Sequence, residues 1–160
     1  MNKSEVVSLI MASLKTDYDA LTAALRESYD TATADENIAE NKYDTLGLEA
    51  SYLVQGQARR STELDQALSS FQQMTLRKFD ASSRILLSAL VCLSSSDVPV
   101  QWIFIGPQAG GVKVMCGAEE VTVVTPQSPL GRALLGRYRG DVVEVLIAGR
   151  SQSFEVQKIL

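Results

Sequence analysis

The sequence predicts an α+β chain: an N-terminal antiparallel helical hairpin of coiled-coil type, followed by a small, mostly antiparallel β domain that carries one short helix. Three observations predict it. Two apolar seams with spacings that alternate between four and three occupy the N-terminal half. A dense patch of charge separates them. After residue 84 the helical period gives way to short runs of Val, Ile and aromatic residues, punctuated by Gly, Pro, Ser and Asp.

The first seam is Val7, Met11, Leu14, Tyr18, Leu21 and Leu25, continued more weakly by Ala32. Neither Pro nor Gly occurs between Met1 and Asn41, so the spacing allows one helix of about 30 residues, roughly 45 Å long at the helical rise. The second seam runs through Leu46, Ala50, Leu53, Gln57, Arg60, Leu64, Ala67, Phe71 and Met74. Its middle is polar, and Gly47 and Gly56 each cost about 1 kcal/mol relative to Ala inside a helix, so this helix needs its partner. Similar lengths and a short connection predict an antiparallel pair with its turn at residues 34–42.

Residues 34–44, ADENIAENKYD, form the tip of that hairpin. Asp35, Glu36, Glu40 and Asp44 are acidic and only Lys42 is basic. A charge run at a turn is commonly a solvated face. Here, however, the clustered carboxylates repel one another unless a cation or a basic partner arrives. Glu36 and Glu40 are four residues apart, a spacing that puts two carboxylates on one helical face, where a hard divalent cation can be held with water completing its shell.

In the C-terminal half the expected strands are residues 85–93, 98–105, 112–116, 120–124, 142–147 and 153–159. Gly110-Gly111 and residues 148–151 have the composition of hairpin turns, and residues 126–136 (PQSPLGRALLG) carry a short helix with Pro129 near its start and Gly136 at its end. The domain boundary is expected near residue 80, giving a hairpin over 1–80 and a sheet domain over 81–160.

Composition narrows the function. The chain has 160 residues, is 46% hydrophobic and 21% charged, and carries a formal net charge of -4 with a pI near 4.9. Such a chain is globular rather than disordered, and its acidity argues against binding bare nucleic acid, which requires clustered Lys and Arg. Cys92 and Cys116 lie in apolar strand-like sequence, and without any His they have no zinc-site partners. The same lack of His excludes Ser-His and Cys-His nucleophilic mechanisms. No phosphate-cradling glycine motif is present, and Gly110-Gly111 reads as a turn. The N-terminus does not read as a signal peptide and no run reaches the length of a membrane span, so a cytoplasmic protein is expected.

The order of long helical hairpin, acidic tip and small C-terminal sheet domain resembles the Gre family of bacterial transcript cleavage and elongation factors over nearly the whole chain. The most specific segment is residues 125–141, TPQSPLGRALLGRYRGD, which is similar to the family's C-terminal signature of a Ser-Pro, a small apolar helix and a Gly-Asp before the next strand. The tip segment NIAEN, residues 37–41, matches through Glu40 and Asn41. It departs at Asn37, where the family typically has an Asp. The resemblance implies an FKBP-like C-terminal domain that docks on the rim of the RNA polymerase secondary channel, with Ser128, Pro129 and Leu130 on the docking surface.

It also implies that the chain is not itself an enzyme. In the family, tip acids help hold the second Mg²⁺ of the polymerase active site and position a water, so that polymerase cleaves the 3′ end of a backtracked RNA. No cofactor of the chain's own is implied: the Mg²⁺ is held jointly with polymerase, contact with the nascent RNA is indirect, and neither direct DNA binding nor a membrane is involved. With Asn37 at the family's Asp position, the second carboxylate beside Glu40 falls to Glu36 or Asp35. The alternative is a secondary-channel regulator without strong cleavage activity. Two further classes remain: a peptidyl-prolyl isomerase, which needs an apolar pocket lined by aromatics such as Trp102, Phe104, Tyr138 or Phe154, and a coiled-coil adaptor that binds a basic partner by charge alone.

Overall fold

The structure is a computed structural model that describes residues 1–33, 46–96 and 99–160. Two long helices come first, α1 (Lys3–Thr33) and α2 (Leu46–Gln73). The Asn2 side chain starts α1 as a cap: its Oδ1 accepts from the Ser4 N–H at 2.9 Å, satisfying a donor that has no intrahelical partner. By compactness the chain divides into one unit of Met1–Ala12 with Ser69–Leu160 and a second of Ser13–Leu68. The start of α1 and the end of α2 thus share one unit and the rest of both helices share the other, so the helices run in opposite directions.

In the Ser13–Leu68 unit, Leu14, Leu64 and Ala67 are buried, as the heptad spacing predicts. Towards the N-terminus of α2 the seam differs from the expected one. Leu53 is 55% exposed and Arg60 is exposed, while Val54, Gln57 and Ser61 are the half-buried positions. Burying a guanidinium without a partner is costly, and the shift leaves Arg60 in solvent, 3.4 Å from the Glu63 carboxylate. Ser61 takes its place in the stripe.

The other unit is built on six strands: β1 (Leu90–Ser94), β2 (Gln101–Ile105), β3 (Lys113–Cys116), β4 (Glu119–Val124), β5 (Val142–Ile147) and β6 (Arg150–Ile159), with α3 (Pro129–Leu134) between β4 and β5. They form one sheet in the order β3-β4-β2-β1-β6-β5. Every adjacent pair is antiparallel except β2 and β4, which run parallel. Ile103, Ile105, Val91, Leu93, Val143, Val145 and Phe154 make a core that takes in Leu134 of α3. On the alternate register, Phe104 stacks on Phe71 of α2 with centroids 6.2 Å apart. Gly106 leaves room for that ring, since a Cβ there would lie 2.9 Å from Val123 Cγ1 and 3.0 Å from Phe71 Cζ.

Four local expectations are corrected. The run 85–93 is not one strand: Ser88 takes a left-handed φ of 71°, and β1 starts only at Leu90. Ser88 is fully buried yet satisfied, its Oγ accepting from the Arg77 N–H at 2.9 Å and its N–H donating to the Ile105 carbonyl at 2.9 Å. The expected strand 98–105 is, among the described residues, a strand only from Gln101, after Pro99, which has no N–H to give to a ladder; its expected first residue, 98, lies outside them. Gly110-Gly111 is a turn but not a hairpin, because it joins β2 to β3 and these are not neighbours. The hairpin turn lies at Gly117, between β3 and β4. Finally, β6 begins at Arg150 instead of residue 153: Ala148 and Gly149, both at positive φ (49° and 78°), close a two-residue turn that pairs Ile147 with Arg150 at once.

Candidate functional site

The sequence points to two places. The first, the acidic tip with Asp35, Glu36, Asn37, Glu40 and Asn41, lies outside the described residues. Among the described residues no group of three or more His, Cys, Asp or Glu could hold a metal ion, and no helix is long and apolar enough to cross a membrane.

The second is the segment around Ser128. Ser128 caps α3: its Oγ accepts from the Gly131 N–H at 3.0 Å and donates to the Thr125 carbonyl at 2.8 Å. Pro129 occupies the first helical position, where its missing N–H costs nothing. At Gly131 the helix passes so close to the preceding loop that a Cβ would sit 1.9 Å from the Thr125 oxygen. Leu134 plugs the core, and Gly136, at φ 79°, turns the chain so that its N–H donates to the Ile85 carbonyl at 2.8 Å. The Gly140-Asp141 pair closes its own turn and ties it to β6: Asp141 Oδ2 accepts from the Tyr138 N–H at 2.9 Å, and Gly140, at φ 88°, donates its N–H to the Val156 carbonyl at 2.8 Å.

Within this signature Ser128, Asp141 and the three glycines therefore brace the backbone, while Pro129 is exposed and Leu130 half-buried. The three residues named from the sequence do come together. Ser128, Pro129 and Leu130 all line a shallow, mainly apolar hollow of about 350 Å³. Of the three, Ser128 has its hydroxyl already engaged on both sides, which leaves Pro129 and Leu130 to present surface.

Sequence reasoning missed the opposite wall, Leu146 and Ile147 of β5 with Ala148 of the following turn. Leu146 is 67% exposed and Val142, four residues earlier on the same strand, 59%. The signal was the alternation in VVEVLI, where Val143 and Val145 are buried and Val142, Glu144 and Leu146 point outward. No aromatic side chain lines the hollow. Phe104 and Phe154 are buried in the sheet unit instead, so the aromatic pocket expected of a prolyl isomerase is not formed by them.

No family model matches the chain. Over 130 residues, 80% of this chain and 76% of the relative, it is 26% identical to the transcription elongation factor GreA of Ralstonia nicotianae. The chain is thus similar to a Gre factor over most of its length. The Gre relative is a transcription elongation factor, and the match spans most of both chains. Similarity to solved structures is weaker. It includes the GreA factor homolog Gfh1 of Thermus thermophilus (17% identity, TM-score 0.38, 94% of each chain). The elongation factor GreA/GreB of Nitrosomonas europaea follows at 12% identity and a TM-score of 0.34, over 70% of this chain and 91% of that one. The Gre-type fold order read from the sequence, two long helices and then a mostly antiparallel sheet with a short helix, is the order observed.

Proposed function

We propose that this chain binds bacterial RNA polymerase at the rim of the secondary channel and stimulates the polymerase's own Mg²⁺-dependent cleavage of backtracked RNA. The observation that carries the reading is the similarity to a GreA elongation factor across 80% of the chain, helices and sheet unit together. The chain supplies no active site of its own. In this reading the sheet-domain surface at Pro129 and Leu130 docks, with Ser128 holding their loop in place. The hairpin carries the tip to the catalytic centre. Glu40, with Glu36 or Asp35, lends carboxylates to a metal that belongs to polymerase, and hard Mg²⁺ is suited to oxygen ligands of that kind.

One observation favours a second reading. Asn37 is neutral where the family pattern has an acid, and an amide is a poor substitute for a carboxylate on Mg²⁺. The chain would then occupy the channel and regulate transcription without strong cleavage. An RNA cleavage assay on stalled, backtracked elongation complexes, with and without the protein, separates the two: shortened RNA with a new 3′ end supports the first reading, and intact RNA with polymerase binding retained supports the second.

A further inference from the structure

Burial falls off abruptly along the Ser13–Leu68 unit. Leu14, Leu64 and Ala67 are at most 4% exposed, yet among the described side chains none of α1 after Leu14 and none of α2 before Leu64 is buried. What continues outward is a half-buried stripe: Tyr18, Leu21 and Leu25 on α1, and Val54, Gln57 and Ser61 on α2. Two of those three α2 positions are polar. The Gln57 Oε1 is shut off from solvent and has no hydrogen-bond partner, which leaves its desolvation uncompensated.

Beside it, Gly56 has no atom within 4 Å of where a Cβ would be, so packing does not require glycine there. In mid-helix it costs backbone entropy and offers no contact in return. The nearby ion pairs of Glu63 with Arg59 (3.5 Å) and Arg60 (3.4 Å) are solvent-exposed and contribute little. Apolar clamp on one side, an orphaned amide and a free glycine on the other: the stability of the paired helices drops at one place.

We propose that Gly56 and Gln57 form a built-in weak point, and that residues 18–31 of α1 and 48–57 of α2 open locally as a unit while the part clamped by Leu14, Leu64 and Ala67 stays packed. Proteins open in such cooperative pieces, and the piece with the fewest buried contacts opens most easily. The device acts on the outer helices alone and does not depend on the role of the tip acids.

Hydrogen exchange on the full chain tests it. The expected pattern is amide protection at least about tenfold lower in 18–31 and 48–57 than in 8–14 and 64–71. Gln57→Leu removes the orphaned oxygen at similar size and should slow exchange in the outer segments roughly tenfold while leaving the inner ones unchanged. Gly56→Ala, which has room for its methyl, should slow the outer segments too and serves as the second variant should Gln57→Leu fold poorly. Even protection along both helices overturns the proposal. So does slowing that is equal in inner and outer segments, or exchange that neither substitution alters.

Discussion

Gly131 lies against the Thr125 carbonyl so closely that a Cβ on it would be 1.9 Å from the oxygen. The Ser128 hydroxyl bridges the same two residues, donating to Thr125 O and accepting from Gly131 N. That contact sets where α3 begins and therefore where Pro129 and Leu130 emerge.

Gly131→Ala is accordingly expected to destabilise the sheet unit by about 1–3 kcal/mol or more, because the atom in the way is backbone and cannot swing aside. Thermal unfolding monitored by circular dichroism checks this, and a variant with an unchanged melting temperature would mean the loop yields freely. Ser128→Ala should cost less, on the order of 1 kcal/mol, the usual loss for a helix cap.

Ser88 holds the link between α2 and the sheet. Replacing it with Ala leaves the Arg77 N–H without its acceptor and keeps a β-carbon at a left-handed φ. A loss of about 1–3 kcal/mol in a denaturant titration is expected. Ser88→Gly relieves the backbone but also loses the hydroxyl, so it should fall between Ala and the parent.

These two residues mark the limit of what the sequence could show. The strands were legible because Val- and Ile-rich runs alternate with turn residues, and Val142–Ile147 falls where the pattern puts it. A serine in a left-handed conformation inside ILLSALVCL leaves no periodic trace, since only its distant partners Arg77 and Ile105 account for it. Strand order was likewise invisible: β2 pairs with β4, and nothing local to Gly110-Gly111 distinguishes a crossover turn from a hairpin turn. At the site, Ser128, Pro129 and Leu130 stood out by their motif, whereas Leu146 is brought beside them only by the packing of α3 against β5. The shifted seam on α2 was legible in part, because an arginine at a predicted core position is itself a warning.

The hollow between α3 and β5 yields the third prediction. If it receives an apolar side chain of polymerase, Leu146→Asp should weaken polymerase binding about tenfold or more. Leu146 is solvent-exposed, so the substitution should leave the melting temperature within a few degrees of the parent. Pro129→Ala should weaken binding in the same direction by a smaller factor. Equal affinity of both folded variants and the parent, measured by fluorescence anisotropy, would move docking to another surface.

The proposed cleavage stimulation rests on the tip acids, and one Mg²⁺ titration of RNA cleavage by backtracked polymerase complexes tests it most directly. The parent protein, Glu40→Gln and Asn37→Asp are compared, with polymerase binding measured in parallel. Glu40→Gln removes a charge and keeps the shape, so it is expected to suppress cleavage at least about tenfold and to raise the Mg²⁺ requirement while binding is unchanged. Asn37→Asp adds a carboxylate where the family pattern has one and is expected to raise stimulation and lower the Mg²⁺ requirement. If neither substitution alters cleavage or its Mg²⁺ dependence, the tip does not act on the metal, and the claim that this chain stimulates transcript cleavage through those carboxylates is contradicted.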